Sequence, residues 1–390
     1  MNADLTTGHP FVSAFSWPLA VVRMEAVQAN AALMRAFCDR HGLSLAPHIK
    51  TTMSPQLTAI QQEAGAWALT VATASQLRTA MSWGAKRFVI ANELVDPRTI
   101  SWLCRALRAD PKLDVVCYVD SVRGAMELAR GLADQRHRVS VLIEVGHPGG
   151  RAGVRTESDA IELGRTVRAL GLVLAGVSAY EGSLVADRTP NALSAVRAFV
   201  RALGDVLRGL HEDGSIQSQE AIISCGGSAY FDVVGEELAR VQLDRRSVRR
   251  VLRSGCYLLH DHGFYAENTP VPQLRGSVEV WSQVISHPEP DLLILDAGRR
   301  DVGFDLGLPV VLGIVSAEAG HPDPRPRWTV TDLNDQHAYV RLPTPATAGA
   351  FVGTVVALGV SHPCTTLDKW QRLAVLDRRG LITDYLTTHF

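Results

Sequence analysis

The sequence predicts an α/β chain, a (β/α)8 barrel followed by a C-terminal β domain, and three observations carry that prediction. From about residue 24 to residue 257, amphipathic stretches alternate with short apolar runs that end in small or polar residues, with Gly or Pro at the breaks. Eight such apolar runs occur, at 43–50, 67–73, 87–92, 114–120, 139–146, 173–181, 221–227 and 249–256. After His260 strand-like runs continue with no long helix between them. Strands separated by helices pair in parallel, and eight of them fit a closed TIM-like barrel; an open doubly wound sheet is the competing arrangement, because periodicity does not report closure.

The elements follow in order. Helices are expected at 24–41, 54–64, 74–83 and 191–211, where apolar residues recur at spacings of three and four. In the β domain, strands are expected at 276–286, 292–296, 327–331, 338–341 and 351–358, and dense Pro and Gly predict a long loop over 303–327. The chain divides into a barrel over 15–262 and a β domain over 263–390. Its 390 residues suit roughly two to three domains at about 150 residues each, and no solenoid period is present.

Composition narrows the partners. With 39 Lys+Arg against 40 Asp+Glu, a net charge of -1 and no long block of one sign, neither nucleic acid nor an anionic membrane surface is expected. Hydrophobic residues make up 46%, yet no run approaches the roughly 18 apolar residues of a membrane span, and MNADLTTGHP lacks a basic-then-apolar signal pattern. A soluble cytoplasmic protein is expected. The cysteines at 38, 104, 117, 225, 256 and 364 are scattered, so structural disulfides are not expected.

In such barrels the working groups sit at the C-terminal strand ends, which makes Lys50, closing the first run, a candidate amine nucleophile; a solvated or ion-paired lysine is the alternative. The seventh run ends in Ser224-Cys225-Gly226-Gly227-Ser228 and the eighth in Ser254-Gly255-Cys256-Tyr257. Turns after strands seven and eight bind phosphate in many barrels, and consecutive amides with glycine make an anion nest; otherwise these are two tight turns. Arg151 after the fifth run and Tyr180 at the end of the sixth share that rim, either to hold a phenolate or ring or as structural residues.

His362-Pro363-Cys364 is the sharpest metal signal. Proline pushes the residue before it towards an extended form, and in extended chain positions two apart face one side. An imidazole and a thiolate there suit a borderline-soft divalent ion such as zinc, and two ligands leave positions open for catalysis. The same short pattern also occurs incidentally. His260-Asp261-His262 is a rival pair at the domain junction, and Asn334-Asp335-Gln336-His337 reads as a turn that either stays structural or reaches the site.

Pro47-His48-Ile49-Lys50-Thr51-Thr52 with Ser54-Pro55, the 226–228 turn, Ser254-Gly255-Cys256-Tyr257 and His362-Pro363-Cys364-Thr365-Thr366 together resemble the D-serine dehydratase/D-threonine aldolase family. These are pyridoxal-phosphate enzymes of the alanine-racemase-like fold, fold type III, and the likeness runs over about 15–382, nearest to the bacterial branch labelled amino acid deaminase. The resemblance implies a homodimer with Lys50 as the Schiff-base lysine. It makes Arg151 and Tyr180 cofactor contacts, and gives Ser224, Gly226, Gly227 and Ser228 with Gly255, Cys256 and Tyr257 to the phosphate cradle. His362 and Cys364 become ligands of a divalent metal, zinc by donor type. The family's dehydratases carry cysteine at the second ligand and its aldolases aspartate, so Cys364 points to dehydration. Many relatives follow the lysine motif with His and Lys where this chain has Thr52 and Met53, a form that the deaminase branch shares. The implied activity is elimination of water from a small D-3-hydroxy amino acid such as D-serine, giving an oxo acid and ammonia. A D-threonine-type aldolase is the alternative, as is a non-catalytic pyridoxal-phosphate protein, which would need neither the β domain nor the metal pair.

Overall fold

Each of the eight apolar runs overlaps a strand of one parallel sheet: Ser44–Leu45, Leu69–Val71, Arg87–Glu93, Asp114–Val119, Val139–Val145, Val173–Ala179, Glu220–Cys225 and Ser247–Leu252. The computed structural model describes residues 7, 8, 10, 11, 15–316, 321–325, 327–343 and 351–390. Contacts group the chain into two compact units, one of residues 35–50 and 61–255, the other of residues 1–34, 51–60 and 256–390.

In the first unit the sheet closes on itself. On one side of the first strand Ser44 faces Val251 and Leu45 faces Leu252. At the other seam Trp67 N donates to the Leu45 carbonyl at 2.7 Å, Thr70 N to Pro47 O at 2.9 Å and Thr70 Oγ1 to Ala46 O at 2.6 Å. Those bonds exclude the open doubly wound sheet. The interior is filled by Ala46, Ala68, Val89, Val116, Leu142, Ala175, Ile222 and Val251, with Tyr118 the bulkiest member; small and branched residues suit the narrow inside of an eight-stranded barrel. Helix starts are written locally: Thr73, Asp96, Ser121, Thr156 and Thr189 accept from backbone amides three residues on, and Pro97 and Pro190 occupy first-turn positions.

The expected helices form at Met24–His41, Pro55–Glu63, Ala74–Ser82 and Pro190–Glu212. Seven of the eight strands stop earlier than expected, Arg87–Glu93 being the exception, and this moves the site residues off them. Regular pairing of the first strand ends at Leu45, two residues before Pro47, which has no N–H for a ladder. Lys50 therefore lies in the 3₁₀ turn Ile49–Thr51, Tyr180 just before the 3₁₀ turn Glu181–Ser183, and Cys256 and Tyr257 in the turn Cys256–Leu258.

The second unit holds a sheet whose strands run in the order Asp323–Pro324, Val310–Val315, Val355–Gly359, Val278–Glu289, Leu19–Arg23, Arg372–Leu376 and Ile382–Thr387. A smaller layer of Leu292–Leu295, Ala338–Arg341 and Thr329–Leu333 branches from the long strand. Trp281, Val21, Ala357 and Ala374 pack at its centre. Two expectations change. Leu19–Arg23, within the range assigned to the barrel, pairs with Val278–Glu289 and Arg372–Leu376 instead. The long loop at 303–327 contains the strand Val310–Val315, while 317–320 and 326, like most of 1–10, lie outside the described residues. Among the described residues no helix is long and apolar enough to cross a membrane.

The seam offers a direct check. Thr70→Val keeps the side-chain shape but leaves the Ala46 carbonyl without its hydroxyl donor, so unfolding stability should fall by about 1–2 kcal/mol, seen as a lower urea midpoint at unchanged slope.

Candidate active site

At the barrel mouth the Lys50 amine is exposed, and His48 stands two residues before it. His48 Nδ1 is buried with no hydrogen-bond partner. Its imidazole is held neutral, well below the usual histidine range, first by burial and then by the charges of Lys50, Arg253 and Arg151. Arg253 is itself buried. Its guanidinium donates to Ser224 Oγ at 2.5 Å, Ser178 Oγ at 3.1 Å and the Ala179 carbonyl at 2.8 Å, all neutral acceptors. Among the described residues none of Lys50, Arg151 and Arg253 makes an ion pair with a carboxylate.

Arg151 lies with its guanidinium carbon 4.7 Å from the centre of the Tyr180 ring. Its loop is fixed by Arg155, which donates to the carbonyls of Gly150, Ala152 and Gly153, and by Gly153 N, which donates to Asp120 at 3.2 Å. A Cβ on Gly227 would sit 3.0 Å from the Tyr180 ring, so the seventh turn passes directly beside that ring. Ser254 Oγ donates to the Gly227 carbonyl at 2.7 Å and ties the turns after strands seven and eight together. Gly255 is required there: a Cβ would fall 2.2 Å from the His48 carbonyl oxygen.

The turn at 226–227 differs from the expected open nest. The fully buried Glu181 carboxylate accepts from Gly226 N at 3.1 Å and Gly227 N at 2.6 Å, and Cys225 Sγ donates to it at 3.3 Å. Those two amides do bind an anion, but it is a side chain of this chain. Ser224 is likewise engaged, with Arg253 and with the Val251 carbonyl. Ser228 is half-buried, one residue beyond Gly227. Sequence reading passed over Glu181 and Arg253 because a lone charged residue carries no spacing signal and their partners lie far along the chain.

A second feature of the mouth is its acidic side. Glu93, at the end of its strand, has Oε1 buried without a partner. Its carboxyl is pushed up to about 8, first by burial and then by the neighbouring Glu144 and Asp120 carboxylates.

In the other unit, Cys364 opens the short helix Cys364–Leu367, and Pro363 before it is helical at φ −65°, ψ −33°. The extended geometry expected over 362–364 therefore does not form. Cys364 Sγ lies 3.3 Å from Cys256 Sγ and donates to Thr51 Oγ1 at 3.3 Å, so two sulfurs and a hydroxyl from three distant parts of the sequence converge. The bond to Cys364 holds the Cys256 thiol down at about 6 against its burial, with Thr51 and Tyr265 assisting. None of the six cysteines is in a disulfide. Thr51 follows Lys50 directly in the chain, and Cys256 follows Gly255. His362 Nδ1 meets Asp305 Oδ2 at 2.8 Å, and Thr365 Oγ1 donates to Asp305 Oδ1 at 2.5 Å. Asp305, inside the expected loop, carried no sequence signal. Among the described residues no group of three or more His, Cys, Asp or Glu side chains is arranged for a metal ion.

The rival clusters are structural. Asp261 accepts from Gly263 N, Tyr265 N and Ala266 N, while burial holds His260 and His262 below the usual histidine range. A Cβ on either Gly276 or Gly359 would meet the His262 ring. Residues 334–337 form the turn between Thr329–Leu333 and Ala338–Arg341.

Comparison with known proteins agrees with this architecture. The alanine racemase N-terminal domain model matches residues 22–233, more than half of the chain, and the putative serine dehydratase domain model matches residues 277–376. A D-threonine aldolase from Arthrobacter sp. is 28% identical over 371 residues, 94% of this chain and 90% of its own length. A D-threo-3-hydroxyaspartate dehydratase from Delftia sp. (strain HT23) is 29% identical over 388 residues, 95% and 97%. The crystal structure of a D-threonine aldolase from Filomicrobium marinum superposes with a TM-score of 0.81 at 21% identity, covering 98% of this chain and 97% of that one.

Glu93 makes stability depend on pH. Its carboxyl keeps a proton in the folded chain up to about 8 but loses it near 4.5 when unfolded, so between those values the unfolded chain binds fewer protons and stability falls as pH rises. Glu93→Gln should remove that slope. The gap in melting temperature between variant and parent should widen in the variant's favour from pH 5 to pH 8, as followed by thermal unfolding.

Proposed function

Because the chain belongs to the alanine racemase N-terminal domain family, we propose that it is a pyridoxal-phosphate-dependent lyase acting on D-3-hydroxy amino acids by α,β-elimination. One observation carries the reading: Lys50, Arg151 and Arg253 surround a neutral His48 at the barrel mouth with no carboxylate ion pair, an excess of positive charge that suits an anionic cofactor. The orphaned His48 Nδ1 and the tight approach of Gly255 fit the same group. Gly226 and Gly227 are committed to Glu181, so Ser228 rather than those two amides would hold the phosphate at that turn.

Pyridoxal phosphate, when bound, supplies an electron sink for charge developing at the substrate α-carbon. Lys50 would hold the cofactor through its amine and would take the substrate's α-proton as general base. Arg151, braced against Tyr180, orients a phenolate or carboxylate at the rim. Arg253 keeps the floor of the mouth positive, and His48 beside it stays neutral. His362 and Cys364 would hold a divalent metal of the zinc class, whose Lewis acidity eases departure of the β-hydroxyl. The product of elimination hydrolyses to an oxo acid and ammonia.

A D-threonine-type aldolase is the second reading, favoured by the likeness to the Arthrobacter enzyme; Cys364, where the family's aldolases carry aspartate, favours elimination. D-threonine separates the two. Elimination gives 2-oxobutanoate and ammonia, and equal amounts of glycine and acetaldehyde would overturn the proposal. D-serine and D-threo-3-hydroxyaspartate complete the panel.

Lys50→Ala should lose the visible absorbance of the bound cofactor and at least 10³-fold in turnover, roughly the lower bound for removing a covalent and general-base group. An absorbance that survives dialysis would reassign the lysine. Cys364→Ala should keep that absorbance while losing bound metal, counted by elemental analysis, together with turnover; full activity in metal-free protein would remove the metal from the reaction.

A further inference from the structure

His362 does not stand alone against Asp305. The segment carrying Asp305 is pinned to the segment carrying His362 independently of that contact. Trp370 Nε1 donates to the Asp301 carbonyl at 2.7 Å, Gly303 N donates to Thr366 Oγ1 at 2.9 Å, and Ser361 Oγ donates to the Gly307 carbonyl at 2.5 Å. A Cβ on Gly303 would fall 2.4 Å from Thr365 Oγ1, so the two segments approach as closely as backbone allows. Thr366 Oγ1 in turn donates to the His362 carbonyl at 2.9 Å. Asp305 is thus delivered to the imidazole by its flanks, and its second oxygen is occupied by the Thr365 hydroxyl at 2.5 Å.

A neutral imidazole has one N–H and one lone pair, and a carboxylate only accepts. With Asp305 Oδ2 at 2.8 Å from Nδ1, the proton belongs on Nδ1 and the lone pair on Nε2. We propose that Asp305 is a positioning residue that fixes this tautomer of His362, makes Nε2 the ligating atom and raises its basicity towards a divalent cation. The ligation half rests on the metal reading proposed above; the tautomer half does not. Thr365 completes the relay by holding the carboxylate plane, so hydroxyl, carboxylate and imidazole act in series. A ligand held this way has its orientation settled before the ion arrives, which is how outer partners commonly add 10–100-fold to metal affinity.

The test uses the full chain, with Asp305→Ala and Asp305→Asn. In metal-free protein at pH 8, nitrogen-15 NMR of the His362 ring, assigned with His362→Gln, should show the proton on Nδ1. Asp305→Ala should shift it to the Nε2-protonated form or a mixture. Asp305→Asn, whose Oδ1 still accepts, should restore the Nδ1-protonated form. Zinc affinity, measured by competition with a chromophoric chelator, should fall about 10–100-fold in the alanine variant and recover in part in the asparagine variant. An unchanged tautomer in Asp305→Ala, or equal zinc affinity in parent and variant, would overturn the proposal. If the parent chain binds no zinc, the metal reading fails, and the tautomer measurement still decides what Asp305 does.

Discussion

Burying a guanidinium costs several kcal/mol unless its donors are met, and a barrel that buries Arg253 among neutral acceptors has to meet that cost with geometry rather than with a counter-charge. Ser178, Ala179 and Ser224 come from the ends of two neighbouring strands, and Arg253 follows a third. Three strand ends are therefore locked to one side chain. The electrostatics follow from that lock. Glu181 and Glu144 are the carboxylates that act on Arg253, and Glu181 is spent on two turn amides. What remains at the mouth is a positive field that adds to burial in keeping His48 neutral. An anionic ligand can answer that field, whereas another protein side chain would consume it.

Much of the barrel was legible because parallel strands buried on both faces read as apolar runs, and helix starts are marked by single capping residues. The strand Leu19–Arg23 was hidden for a physical reason. It runs into Met24–His41 without a break, and its partners lie more than 250 residues away in sequence. Arg372–Leu376 and Ile382–Thr387, which pair with each other across a short turn, were also missed. Lys50, Arg151 and Tyr180 were placed at the rim from position alone: each ends or follows a run, and strand ends gather at one rim. The glycine turn was expected to hold a phosphate, whereas its two amides hold the Glu181 carboxylate. Nothing in the residues around Glu181 says that its carboxylate folds onto amides 45 and 46 positions later. Asp305 was hidden within a stretch whose Pro and Gly content described a loop and nothing more.

The extended geometry expected of His362-Pro363-Cys364 rested on the conformation before proline, which says nothing about proline itself. Pro363 took the helical angles its ring favours equally well, and Cys364 started a helix. The consequence for the donors is larger than a change of backbone. In an extended segment the two side chains would have been a local pair, sufficient in themselves; on a helix start each is instead completed by distant residues, His362 by Asp305 and Cys364 by Cys256 and Thr51.

That completion bears on what kind of ion suits the pair. A thiolate is a soft donor, and a second sulfur 3.3 Å away, with a thiol held down at about 6, makes the surroundings softer still. Hard ions such as magnesium prefer oxygen and keep their water, so sulfur neighbours offer them little. Cys256 also gives Cys364 a donor or acceptor when no ion is bound, which lets a partly buried thiol remain satisfied in both conditions. Thr51 does the same from the other side, and it is joined by one peptide bond to Lys50. The residue that would carry the cofactor thus stands next, in sequence, to one bonded to Cys364. Both residues lie in the 3₁₀ turn Ile49–Thr51.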